Sequence, residues 1–370
     1  MRTLTKFGLL LIPAVALSLY LDPATKLSAQ NQSASDAPKT AERQFKNIQV
    51  LKGIPADQLM PTMQFIAASL GVECEFCHVE HQMDKDDKKE KKTARKMIAM
   101  ELAIDKDNFD GNLGVTCFTC HRGSAHPVSI PVLYAEGTKP PPHVHNEASH
   151  PNLPSADQIF DKYLAAVGGA DALKKIKTRV QKGTIDAMGK QYPIEIYSEA
   201  PDKRVSVSHP AGGSSVTAFN GQAGWLTIPN GVHFMTAAER EAARVDAQLY
   251  FALQVRELYK DFRVLPPEDI NGHPTDLIYA TAPGRPALRL NFDQQSGLLV
   301  RQTRYAETAL GRLPTQVDYA DYREAGGVKI PYQWTLTRPN GSFTIRVTQV
   351  EQNVPVDDKL FVAPPETPAK

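Results

Sequence analysis

The chain has 370 residues, of which 42% are hydrophobic and 22% charged, and 42 Lys and Arg against 41 Asp and Glu leave a formal charge of +1. That length exceeds one ordinary domain and points to two. Near-neutral charge excludes a global field that steers a protein toward nucleic acid or an anionic membrane.

The first 29 residues read as an export signal. Arg2 and Lys6 form a positive start, residues 9–21 ("LLLIPAVALSLYL") an apolar core, and Ser28-Ala29 a small-residue cleavage site. The apolar run is short for a membrane span and Pro13 interrupts it, so no span is expected after cleavage, an uncleaved anchor being the alternative. The expected location is therefore the periplasm, an oxidising compartment. Residues 30–44 are small and polar and read as a flexible leader.

Residues 45–125 form a helix-leaning stretch that holds all four cysteines of the chain. Pro61 suits a first helical turn and Gly71 a C-terminal stop, which predicts a helix between them and leaves Met60 outside it. On that helix Met63, Ala67 and Leu70 share one face. Residues 80–96 are a mixed-charge run, read as a solvated loop or as a docking rim for a partner protein. A second helix is expected from a cap at Thr93 to Ile104, with Met97, Met100 and Ile104 on one face.

Residues 126–154, rich in Pro and His, read as an extended linker, and His143, His145 and His150 are loose metal- or cofactor-ligand candidates within it. A helix then opens at an N-cap Ser155 and stops at Gly168-Gly169. Beyond it come alternating segments such as "YPIEIYSE", "ALRLNFD", "PYQWTLTR" and "SFTIRVTQVEQ", with turn signals at residues 295–297 and 339–341. One helical insert, residues 236–259, interrupts them. The expected class is a multidomain α + β chain: a small, mainly helical unit, then an antiparallel β half-barrel, a curled sheet with packing helices, over 155–366. No Gly-rich phosphate loop, His-Glu-x-x-His or nucleophile motif marks an enzyme.

The chemistry is carried by one phrase written twice, "LGVECEFCHV" at residues 70–79 and "LGVTCFTCHR" at 113–122. Cys-x-x-Cys-His is the attachment signal of c-type haem. Two sulfurs one short turn apart reach both vinyl edges of one porphyrin, and the next histidine faces the iron. Cys74 and Cys77 with His78 would hold one haem c, and Cys117 and Cys120 with His121 a second. A four-thiolate zinc site, thioredoxin-like redox pairs and plain disulfides compete, but none requires a histidine after each pair. For the sixth iron position the expected donors are Met63 at the first haem and Met97 at the second, with Met100 or a histidine as alternative to Met97.

Residues 45–123 resemble half of the tetrahaem cytochrome subunit of photosynthetic reaction centres. The likeness rests on "LMPTMQFIAASLGVECEFCHV" and on "ARKMIAMELAIDKDNFDGNLGVTCFTCHRG". It implies a Met-bearing helix before each haem, with Met63 and Met97 at the axial positions. Two sites are present here, against four in that family, and one haem of the family takes a histidine, which leaves the second site here open. The C-terminal region resembles, more faintly, the lipoprotein-carrier family of the bacterial envelope, whose sheet wraps an apolar cavity. Together these imply an electron carrier between redox partner proteins. The alternatives are a lipid or quinone binder with haem as redox sensor, and a dihaem peroxidase or reductase with one open iron.

Overall fold

The computed structural model describes residues 39–127 and 153–365, apart from Met188, Gly212, Pro229, Asn230 and Asn340. The export signal and His143, His145 and His150 lie outside the described residues. None of the described helices is long and apolar enough to cross a membrane.

Order begins before residue 45. Ala41 N–H donates to the Ile54 carbonyl and Ala56 N–H to that of Lys39, both at 2.8 Å, so a short ladder pins this segment. Helix α1 (Ala41–Gln44) follows and Ala41 is fully buried, so the end of the expected leader belongs to the fold.

Helix α2 (Leu59–Leu70) starts two residues ahead of Pro61, on a 3-10 turn, Ala56–Gln58. Met60 is therefore inside the helix, contrary to expectation. Pro61 is tolerated because first-turn N–H groups have no intrahelical acceptor. Gly71 ends α2 at φ +65°, as expected for a left-handed cap. Next come α3 (Cys74–Cys77), α4 (Lys89–Asn108) and α5 (Cys117–His121). Helix α4 begins four residues before the expected cap Thr93, because the charged run folds on itself. Lys91 Nζ donates to the Met83 and Lys85 carbonyls, each at 2.7 Å, and Asp86 accepts from Arg95 at 2.8 Å.

Ser155 caps α6 (Ala156–Ala166) in a reciprocal box with Gln158, and Gly168 and Gly169 take positive φ before α7 (Ala170–Lys175). The strands β1 (Thr178–Ala187), β2 (Lys190–Glu199), β3 (Lys203–Ser208), β4 (Ser215–Asn220), β5 (Gly224–Ile228) and β6 (Gly231–Phe234) then step outward to one edge. The expected single insert is two helices, α8 (Ala237–Ala247) and α9 (Phe251–Leu258), which carry the chain to the opposite edge. From there β7 (Asp261–Ile270), β8 (His273–Thr281), β9 (Leu288–Asp293), β10 (Leu299–Thr308), β11 (Gly311–Ala325), β12 (Val328–Arg338) and β13 (Gly341–Gln352) return, until β13 pairs with β1.

The result is one antiparallel sheet of 13 strands, ordered β6-β5-β4-β3-β2-β1-β13-β12-β11-β10-β9-β8-β7. It is open: β6 and β7 stand at opposite ends and do not pair with each other. One edge is short; the other carries Pro266-Pro267 at a register break between Leu265 and Glu268, where no N–H is available for a ladder. Helices α6, α7 and α9 bury Phe160, Tyr163, Leu173 and Val255 against Ile278, Leu288, Leu290 and Phe292 of the sheet.

The described helical segment packs against the sheet. Leu59, Phe65 and Ile98 pack with Leu310 and Leu313 from the β10–β11 hairpin. The Phe65 ring occupies the place where a Cβ on Gly311 would stand, 2.3 Å from its Cζ.

Candidate functional site

Each Cys-x-x-Cys pair occupies one short helix, α3 or α5, so both sulfurs of a pair lie on a single turn. All four thiols are free; Cys74 and Cys120 are exposed, and Cys77 and Cys117 partly covered. Burial pushes the Cys77 thiol up, and burial with the neighbouring Glu101 pushes Cys117 up further. Neither is an activated thiolate of the redox-pair kind. Among the described residues no three thiol, imidazole or carboxylate groups gather into a metal cage, so a four-thiolate zinc site lacks its ligand geometry.

The two histidines are held alike. His78 Nδ1 lies 2.9 Å from the Met83 carbonyl, and His121 Nδ1 lies 2.9 Å from the Ser124 carbonyl. A carbonyl only accepts, so Nδ1 carries the proton and donates in both rings. That tautomer leaves the Nε2 lone pair free, the arrangement in which an imidazole ligates a metal while a backbone acceptor fixes its orientation. Short loops after each phrase supply the acceptors.

Helix packing is crossed. The end of α2 sits on α5, where Gly123 N–H donates to the Ser69 carbonyl at 2.9 Å, and α3 sits on α4.

Acids that the sequence reading passed over tether the second phrase to α4. Asp105 Oδ1 accepts from the N–H groups of Gly114 at 3.1 Å and Val115 at 2.9 Å, and Glu101 Oε2 accepts from the Cys117 thiol at 2.8 Å. The other oxygens, Glu101 Oε1 and Asp105 Oδ2, are buried without a partner. Their four-residue spacing, with Met97 one turn earlier, was the available signal. It marks a stripe Met97–Glu101–Asp105 along the face of α4 that meets the second phrase. Met100 lies off that stripe. Met63 is half-buried beside the cluster of Leu59 and Phe65.

The surface around both phrases is apolar. Phe76 is 40% exposed, Phe118 54%, Met97 42% and Met100 49%, and Met60, Met83, Leu102, Phe109 and Leu113 are also exposed. Only two other exposed large hydrophobic residues, Val232 and Val362, occur among the described residues. A concentration of this kind marks a surface that is covered in the working protein. Paired sulfurs, oriented imidazoles, thioethers and an apolar surround all fit haem c.

Comparison with known proteins shows that this segment is similar to c-type cytochromes. Residues 13–167 match the family described as Photosynthetic reaction centre cytochrome C subunit. The photosynthetic reaction center cytochrome c subunit of Thermochromatium tepidum is 33% identical over 112 residues, 29% of this chain and 26% of that protein. Cytochrome c-554 of Chloroflexus aurantiacus is 33% identical over 85 residues, 21% of this chain and 20% of that protein. The chain thus spans between a fifth and a third of the length of the curated relatives it matches. Among solved structures, a LolA superfamily protein from Nitrosomonas europaea covers 57% of this chain and 98% of its own at 13% identity, with a TM-score of 0.39. A DUF1329 family protein from Desulfovibrio piger covers 56% of this chain and 96% of its own at 16% identity, also with a TM-score of 0.39.

Proposed function

We propose that the protein is an exported dihaem c-type cytochrome that passes electrons between redox partner proteins in the periplasm. The observation that carries this reading is the matched pair of Nδ1-to-carbonyl hydrogen bonds, each on the histidine that follows a Cys-x-x-Cys turn. Cys74 and Cys77 would hold one haem c and Cys117 and Cys120 the other, through thioethers. His78 and His121 would present Nε2 to the two irons. Met63 on α2 and Met97 on α4 would supply the opposite ligands; the acidic stripe favours Met97 over Met100.

Haem c supplies one-electron exchange, with no atoms transferred. This chain's own residues do the rest. The Met83 and Ser124 carbonyls fix the imidazole planes and raise ligand basicity. Thioether ligation holds a higher reduction potential than a second histidine would. Phe76 and Phe118, each between the paired cysteines, would shield a bound haem from water.

The experiment is a pyridine haemochrome assay with intact mass on protein matured in a host that attaches haem c. Two added haem masses are expected, together with a weak sulfur–iron absorption band that diminishes in Met63→Ala and in Met97→Ala but not in Met100→Ala. A colourless polypeptide at its amino-acid mass overturns the proposal. Rapid carbon monoxide binding by the untreated protein would replace it with a peroxidase or reductase having one open iron.

A further inference from the structure

The helix-covered face of the sheet contains more positive charge than its own acids balance. Arg179 on β1 pairs across to Ser198 on β2, and Ser198 pairs across to Arg204 on β3. The three side chains therefore share one face in one cross-strand row, with the two arginines two strand spacings, about 10 Å, apart at the backbone. The same face carries Tyr319, Tyr332 and Val350, which pack toward the helices, and Trp334, which packs with Ile194, Ile196 and Val317 of neighbouring strands under the Arg204 guanidinium. Arg304 of β10 faces inward from the far side.

One carboxylate serves this group. Asp246 of α8 gives its Oδ1 to Arg304 at 2.6 Å, and its backbone carbonyl to Arg204 at 3.2 Å. Arg179 receives nothing: its Nε and Nη2 are shut off from solvent and have no hydrogen-bond partner. Three guanidinium groups thus face one carboxylate. Burial, and then the neighbouring Arg204, push the Arg179 pKa down to about 10, a second sign that its positive charge lacks compensation. Burying an ion without a partner is among the largest penalties a fold can carry, and mutation normally removes it. The hydroxyls of Tyr163, Tyr319 and Tyr332 also make no hydrogen bond among the described residues. As whole residues Arg179 and Arg204 are half-buried, and Ser198 between them is buried, so the row lies inside the fold.

We infer that Arg179, Ser198 and Arg204 form a binding site for the oxyanion headgroup of an amphiphile, a carboxylate or a phosphate carrying an apolar tail. Two guanidinium groups flanking a hydroxyl offer the forked donor geometry that carboxylate and phosphate oxygens accept. One monoanion beside Arg179 supplies the missing counter-charge. The tail lies along Trp334 and the tyrosine rings, which present apolar bodies with polar tips. This site is independent of the haem reading: it stands on the sheet, and its occupant exchanges no electrons.

The test is calorimetric titration of the full-length haem-loaded protein with three probes: sodium oleate below its critical micelle concentration, oleyl alcohol and inorganic phosphate. A phosphatidylglycerol presented from a soluble carrier distinguishes a lipid phosphate from a free fatty acid. Oleate, phosphatidylglycerol or both should saturate at one site per chain, and affinity should fall at least tenfold in Arg179→Gln and in Arg204→Gln. Oleyl alcohol should bind weakly and alike in all three proteins. Arg179→Met adds a second readout: relief of the uncompensated charge should raise the melting temperature of the ligand-free protein while abolishing oleate binding. The inference is overturned if neither oleate nor the phospholipid binds, if only inorganic phosphate does, if the glutamine variants bind unchanged, or if Arg179→Met melts lower than wild type.

Discussion

Asp86 shows how one side chain organises the approach to the first cysteine phrase. It accepts from Arg95 at 2.8 Å and from Asn47 at 2.9 Å, and Lys91 stands 3.3 Å away. The Arg95 hydrogen bond holds its carboxyl well below the usual aspartate range. A carboxyl with a depressed folded pKa binds protons less readily than its unfolded counterpart. Its stabilisation is therefore complete above the unfolded value, about 3.9, and is lost as pH falls further toward the folded value. Asp86→Asn should lower the melting temperature at pH 7, and the difference from wild type should shrink between about pH 4 and pH 2. Thermal melts across that range check it; a constant difference would show that the charge contributes nothing. The sequence displayed Asp86 within a mixed-charge run, which reads the same whether it is solvated or folded. Only the positions of Lys91 and Arg95, in the first and second turns of α4, distinguish the two.

Helix boundaries illustrate which local signals suffice. Gly71 was legible as a stop because few residues other than glycine take φ +65° without strain. The structure adds a second reason: a Cβ there would stand 2.2 Å from the Gly123 carbonyl oxygen, against the loop after α5. Gly53 offers the control, with φ +85° and nothing within 4 Å of a built Cβ. Gly53→Ala should cost only the left-handed strain, about 1–2 kcal/mol, whereas Gly71→Ala should cost clearly more and disturb α5. Urea denaturation of both variants compares them, and equal losses would remove the close approach from the account. The starts of α2 and α4 were misplaced because their first turns rely on a preceding 3-10 turn and on lysine-to-carbonyl bonds, neither of which leaves a capping residue to read.

At the scale of the whole molecule, the helical segment and the sheet lie in one compact unit. Phe65 is 7% exposed and Leu310 fully buried, and they meet across the joint between α2 and the β10–β11 hairpin. Phe65→Ala should cost about 3–5 kcal/mol, the range for removing a buried aromatic ring. It should also split unfolding in two: Soret absorbance, reporting the haem segment, should change at lower urea than far-ultraviolet circular dichroism, reporting the sheet. In wild type the two curves should coincide. Coincident curves in the variant would mean that the joint does not couple the parts.

What the sequence determined by itself was local. The duplicated Cys-x-x-Cys-His phrase, the Gly71 stop, the Ser155 cap and the alternating strands all depend on spacings of a few residues, and short-range sterics and hydrogen bonding enforce them. What the tertiary structure decided was long-range. The pairing of β13 with β1 closes a separation of well over a hundred residues, the front segment seats its Phe65 against a hairpin some 245 residues later, and Arg179 meets Arg204 without a counter-ion. No periodicity encodes such meetings, because each depends on which buried faces the finished sheet brings together, and that choice is made by packing and desolvation over the whole chain.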